Sequence, residues 1–133
     1  MVPKKLVPIV ALFFIFINSF GQNIQHDWHM VAGSTASYEE NGTAVATDGS
    51  GNVYLTSVFY STIDTDRSAA TTTLTSNGES DIGITKYNKE GEHQLSFSIG
   101  GTGLDRVENV VVDQNNAVYV TGSFEGSVDF DPS

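Results

Sequence analysis

The sequence predicts an all-β fold of short antiparallel strands, and three observations carry that reading. Strand-forming residues alternate with a period of two through residues 52–59, where Val53, Leu55, Ser57 and Phe59 share one face and Tyr54, Thr56 and Val58 the other. After residue 21 no segment sustains a helical period. A shift of 65 positions lays residues 44–68 on residues 109–133 without a gap and gives nine identities, where chance gives about one or two. The identities pair Val45 with Val110, Asp48 with Asp113, Val53 with Val118, Tyr54 with Tyr119, Thr56 with Thr121 and Phe59 with Phe124, then Asp64 with Asp129, Asp66 with Asp131 and Ser68 with Ser133. A repeat of this length, with four short strands per copy and glycine-rich turns between them, is the pattern of β-propeller blades. A β-sandwich has no reason to repeat its sequence at a fixed interval.

Residues 1–21 read as a secretory signal peptide, a short apolar helix. Lys4 and Lys5 supply its basic region, residues 6–17 are almost wholly apolar, and Ser19-Phe20-Gly21 sets small residues before a cut between Gly21 and Gln22. The competing reading is a membrane anchor. The apolar run over 6–20 contains Pro8 and Asn18 and is shorter than the roughly 20 residues of a spanning helix. The chain is therefore expected to be secreted or at the cell surface, with no membrane span after signal removal.

Residues 22–42 are expected to hold the end of a preceding blade and a loop. His26-Asp27-Trp28 through Ala32-Gly33-Ser34-Thr35 is similar to His93-Gln94-Leu95 through Ile99-Gly100-Gly101-Thr102, with two extra residues in the 37–41 loop. Residues 43–107 are expected to form one complete four-stranded blade, with strands over 43–47, 52–59, 81–87 and 94–99. Turns at Asp48-Gly49-Ser50-Gly51, Ser76-Asn77-Gly78 and Asn88-Lys89-Glu90-Gly91 separate them. The stretch 69–75, rich in Thr and Ala, reads as a loop or a ragged strand start. Residues 108–133 are expected to be the first half of a next blade, truncated.

The run Val110-Val111-Val112-Asp113-Gln114-Asn115-Asn116-Ala117-Val118-Tyr119-Val120-Thr121-Gly122-Ser123-Phe124, followed by Ser127-Val128-Asp129-Phe130-Asp131-Pro132, resembles the SBBP (seven-bladed β-propeller) repeat of secreted bacterial proteins. Residues 80–91 are similar to that family's lysine-tyrosine strand and turn, and Ile99-Gly100-Gly101-Thr102-Gly103-Leu104-Asp105 to its diglycine segment. Two positions depart from the pattern: Val58 stands where a small residue is expected, and Thr65 where the second copy has Phe130. The resemblance implies a propeller of several blades, and it describes blade packing more than chemistry.

Composition narrows the function classes. The chain has 133 residues, no cysteine, and 6 Lys and Arg against 16 Asp and Glu, a formal charge of −10. Removing the signal takes two lysines and no acids, leaving −12 on the exported part. A nucleic-acid partner is excluded by this acidity, and a disulfide framework or a cysteine-based site by the absence of cysteine.

No catalytic set is legible. There is no G-x-S-x-G elbow, and Glu39-Glu40 and Glu90-Gly91-Glu92 read as solvated turns that lack the burial which tunes an acid-base pair. Asp64, Asp66, Asp129 and Asp131 repeat a D-x-D-x-S spacing that would suit calcium. Without a glycine at the sixth position or a glutamate at the twelfth it is no EF-hand loop, and the preferred reading is a blade-edge turn in which the aspartates bond backbone amides and face water. No cofactor or metal is therefore predicted. His26 and His29 fall on opposite faces of a strand, His93 is a strand-edge residue, Trp28 and Tyr38 belong to packing more than to a sugar platform, and residues 48–52 form a hairpin turn.

The expected function is that of an exported structural or adhesive recognition scaffold without catalysis, whose partner is a surface glycan or protein. Its alternative is a fragment of a secreted propeller-type lyase or glycan hydrolase with its site in other blades. Open blade edges are expected to make the isolated chain self-associate.

Overall fold

The computed structural model describes Trp28 and residues 40–66 and 68–130. The signal peptide, most of the expected preceding blade, His26, His29, Tyr38, Glu39 and Asp131 lie outside the described residues. The described chain is all β, with strands β1 (Asn41–Thr47), β2 (Val53–Phe59), β3 (Thr62–Asp64), β4 (Thr73–Thr75), β5 (Asp81–Tyr87), β6 (His93–Ile99), β7 (Arg106–Val112) and β8 (Val118–Ser123). Among the described residues no helix is long and apolar enough to cross a membrane.

The four strands expected over 43–99 form one antiparallel sheet in the order β1-β2-β5-β6. Between β2 and β5 the chain detours into a two-stranded ribbon, β3-β4, with Ile63 opposite Leu74. Of the two readings of 69–75, a loop or a ragged strand start, the second holds at Thr73–Thr75. Thr73–Thr75 is too short to show a period, and it becomes a strand because β3 pairs with it and Leu74 is buried. The ribbon covers one face of the sheet, where Phe59, Ile63 and Leu74 form a buried cluster. Gly83 permits that closure: a Cβ there would meet Ser57 Oγ at 2.6 Å and Leu74 and Phe59 at 3.5 Å.

The opposite face carries Val58, Ile82 and Ile84, which form a second cluster with Val107 of β7, flanked by Phe97, Ile99 and Val120. Cross-strand register puts Val58 beside Ile82, and Ile82 beside Ile99. Side chains of alternate residues on three strands thus make one apolar surface, and the β7-β8 sheet packs on it. The two departures from the repeat pattern both have a place: Val58 fills this cluster, while Thr65, buried, donates or accepts within a polar network described below.

The 65-residue repeat is reproduced in the backbone. β1 pairs with β2 and β7 with β8 in the same register, Ala44 with Thr56 and Asn109 with Thr121, and each pairing shifts at the same place, between Gly42 and Ala44 and between Val107 and Asn109. A bulge kept at equivalent positions is a designed feature of a strand pair.

Packing, however, divides the two copies. Val110 is 3% exposed because β7 lies on the first sheet, whereas its counterpart Val45 is 63% exposed. Tyr54 is 6% exposed under β7, and its counterpart Tyr119 is 55% exposed.

Candidate functional site

The polar residues that the sequence singles out fall mostly in turns, and one turn design recurs three times. Asp48, Asn88 and Asp113 each accept a backbone N–H from three residues on (Gly51, Gly91 and Asn116) at 2.9–3.0 Å. Their Oδ1 atoms accept two more: from Ser50 and Asn52, from Glu90 and Glu92, and from Asn115 and Ala117. The fourth residue has positive φ in every case, 82° at Gly51, 80° at Gly91 and 64° at Asn116. This is a type I turn followed by a left-handed bulge residue, which favours Gly or Asn.

The Asn52 side-chain amide donates to Asp48 at 2.7 Å and, with the turn amides, holds the Asp48 carboxyl below its usual range. The Ala117 amide does the same for Asp113. These carboxylates are committed to backbone geometry, as the hairpin reading of residues 48–52 expects.

The calcium candidates are placed as follows. Asp64 Oδ1 accepts N–H groups of Asp66 and Thr72, and Asp66 Oδ1 that of Ser68, at 2.8–3.1 Å. The Ser68 amide lowers the Asp66 pKa from the ordinary carboxyl value. Asp129 bridges to Gly100 in the other repeat, apart from Asp64 and Asp66 in the chain's two copies, and Asp131 lies outside the described residues. Among the described residues no three His, Asp or Glu come together as metal ligands.

Asp66 borders an open polar cleft of about 530 Å³ with Ser68, Glu90, Glu92 and His93. His93 Nε2 lies 2.8 Å from Ser96 Oγ. Sequence spacing puts residues 93 and 96 on opposite strand faces, but the β5-β6 register shifts between Lys86 and Tyr87, so that Tyr87 pairs with His93 across an extra residue, Gln94. The bulge turns the imidazole to the face of Ser96, with its ring edge-on to Tyr87 at 6.0 Å. Bulge position has no signal in the sequence.

A histidine against a serine invites a nucleophile-base reading. Ser96 Oγ also donates to Thr85 Oγ1 at 3.0 Å and bonds Thr65 Oγ1 at 2.8 Å, and Thr65 in turn donates to the Thr72 carbonyl. The hydroxyl is thus tied into a network joining β3-β4 to the sheet. Beside the Ser68 hydrogen bonds, which count for more, His93 helps electrostatically to lower the Asp66 pKa.

Two fully buried aspartates escaped sequence reasoning. Asp81 accepts from Ser76 Oγ at 3.0 Å and the Asn77 amide at 3.1 Å. Asp105 accepts from the Gly101 amide at 2.6 Å and the Glu125 amide at 3.1 Å, while its own backbone N–H and C=O bond Ser80. Asp105 therefore ties the diglycine loop to the second repeat. Their signal is positional only: each sits at a strand end beside glycines.

Glu40, expected in a solvated turn, is instead partly buried, and its Oε1 is shielded from solvent. It stands at the repeat position of Asp105. Trp28, expected in packing, is partly buried beside Val45, Val53, Leu55 and Tyr87, and its Nε1–H donates to the Lys89 carbonyl at 3.2 Å.

Among the described residues the protein is all β, with the β1-β2 pair reproduced as β7-β8, and hydrogen-bonded polar groups serve its turns and the joint between the two sheets. Compared with family models, with curated proteins and with solved structures, the chain has no match.

Proposed function

We propose that this chain is a blade-forming segment of a β-propeller and serves, outside the cytoplasm, as a non-catalytic structural or adhesive recognition scaffold. The observation that carries the reading is the packing of β7 on the β1-β2-β5-β6 sheet through matched repeats, Val110 buried where Val45 is exposed. Face-to-face stacking of sequentially repeated antiparallel sheets is how propeller blades build a core. The resemblance to SBBP repeats rests on the motifs quoted above and agrees with this geometry. Commitment of the aspartate carboxylates to backbone amides supports a structural role for the acids, and the apolar leader with its Lys4-Lys5 start supports export.

The experiment is expression of the full chain in a Gram-negative host. The expected product is exported and begins at Gln22, binds immobilised surface polysaccharide or a surface protein, and releases no reducing ends or unsaturated sugars from polysaccharide substrates. Retention in the cytoplasm at full length would overturn the export reading. Measurable polysaccharide cleavage by the purified chain, abolished by a single side-chain change, would overturn the scaffold reading in favour of a lyase or hydrolase.

A further inference from the structure

We infer that Asn77 is a self-modification site: its side-chain amide closes onto the Gly78 backbone nitrogen with the Ser76 hydroxyl as proton acceptor, and the chain deamidates itself at this turn. To become a nucleophile the Gly78 nitrogen must give up its proton, and its N–H donates to Ser76 Oγ at 3.3 Å. Ser76 Oγ donates to Asp81 Oδ1 at 3.0 Å, a shorter contact than its 3.3 Å to the Gly78 carbonyl. The other oxygen of the Asp81 carboxylate accepts the N–H of Asn77 at 3.1 Å. Asp81 is fully buried and acts as a fixed anchor that positions Ser76, while Ser76 touches the reacting nitrogen. Asn77 itself is exposed, and among the described residues no hydrogen bond holds its carboxamide away from Gly78.

The atoms balance with water as the one co-reactant. The Gly78 nitrogen bonds to Cγ of Asn77 as its proton passes to Ser76 and the Ser76 proton to Asp81. The Cγ–Nδ2 bond then breaks, and Nδ2 takes the proton back through the same relay and leaves as ammonia. Water adds to either carbonyl of the cyclic imide and opens it, which leaves an aspartyl or an isoaspartyl linkage at position 77.

Packing keeps the labile pair in place. A Cβ at residue 78 would collide with the Gly101 carbonyl oxygen and meet the Thr102 backbone at 2.5–2.6 Å, so glycine, which crowds the attacking nitrogen least, is required where this turn docks on the diglycine loop. The other Asn-Gly pair, Asn41-Gly42, lies in β1 opposite Val58 and Ser57 of β2. Closing a ring there would pull the backbone out of the ladder. An isoaspartyl linkage at position 77 lengthens the main chain at a contact without room for a methyl, and so loosens the turn from the diglycine loop.

The test is incubation of the purified full chain at neutral pH, with peptide mapping by mass spectrometry to read exchange of NH for O at each asparagine. Asn77 is expected to convert ahead of Asn41, and several-fold faster than in a synthetic peptide of residues 72–82, because the fold holds nucleophile and acceptor together. Ser76→Ala is expected to slow the folded chain by about tenfold or more, since positioned acid-base groups supply on the order of 10²–10⁴, and to leave the peptide unchanged. Ser76→Thr, which keeps the hydroxyl, should restore the rate. Equal conversion at Asn41 and Asn77, a folded chain no faster than the peptide, or an unchanged rate in Ser76→Ala would each overturn the inference. The first two comparisons need no substitution and decide the matter even if Ser76→Ala fails to fold. A chain retained in the cytoplasm would convert as well, so this inference and the export reading fail separately.

Discussion

The phenol of Tyr87, on the central strand β5, donates to the backbone carbonyl of Thr65 at 2.6 Å, pinning the end of the β3-β4 ribbon to the sheet. Both residues are almost fully buried, so the carbonyl has no water to turn to. Tyr87→Phe should lower unfolding stability by about 1–3 kcal/mol, the cost of leaving a buried acceptor unpaired, measured by urea denaturation. A change below the scatter of the measurement would mean that the ribbon relaxes to solvate Thr65.

Burial pushes the Tyr87 pKa from 10.0 up to about 12. A raised folded value means that the unfolded chain loses this proton first. The Tyr87 contribution is therefore intact below pH 10 and is lost as the pH climbs from 10 towards 12. The alkaline fall in thermal midpoint over that window should be smaller in Tyr87→Phe than in the parent.

At the other end of the pH scale, the Asp48 and Asp113 carboxyls lie below their ordinary value of 3.8. A depressed folded value gives stability that is present above about pH 3.8 and is lost as the pH falls through the lowered value. Asp113→Ala should lower the midpoint at neutral pH by a few degrees and flatten this acid limb. Asp113→Asn should keep most of the midpoint, because Asn88 performs the same turn with a neutral amide oxygen.

Asp105→Ala would take from the part-buried Gly101 and Glu125 amides their buried acceptor, at about 0.5–1.5 kcal/mol for each hydrogen bond lost. Because the second of these bonds reaches the other repeat, hydrogen exchange should rise more in Val118–Ser123 than in Asp81–Tyr87. Uniform acceleration across both sheets would show that Asp105 supports the whole fold and not the joint between repeats.

Gly83→Ala places a methyl on Ser57 Oγ, and overpacking of this kind costs about 1–3 kcal/mol. The second repeat already carries glycine at the Ser57 position, as Gly122. Adding Ser57→Gly should therefore recover much of the loss, and the double-mutant cycle should give a coupling clearly different from zero. Strict additivity would contradict the contact.

Val45 and Tyr119 are exposed on opposite outer faces at positions whose repeat counterparts are buried in sheet-to-sheet contact. The isolated chain is expected to associate as its concentration rises, head to tail and not symmetrically, because two different faces meet. Sedimentation velocity should show the shift, and Val45→Lys with Tyr119→Lys should suppress it. A parent chain that stays monomeric at high concentration would refute the expectation.

Much of the fold is legible in the chain. Alternation identifies β2 and β5, the Asp48 and Asn88 turns mark their ends, and the 65-position shift anticipates that β7 and β8 copy β1 and β2. Less of the candidate site is. His93 was readable as a strand-edge residue, yet its meeting with Ser96 depends on the extra residue Gln94 in the β5-β6 pairing. Ser80 and Asp105 are 25 residues apart and touch through a crossing that no local pattern encodes.

What the sequence determined by itself is local and periodic: strand propensity, turn geometry and the repeat, because each depends on residues within a few positions or on comparing the chain with itself. Tertiary structure alone decided which copies of equivalent residues are buried, that Thr73–Thr75 pairs with Thr62–Asp64, and that Asp81 and Asp105 lie inside. The reason is physical. Burial and pairing belong to what packs against a residue, so Val45 and Val110, identical in the repeat, are separated only by the sheet that covers one of them.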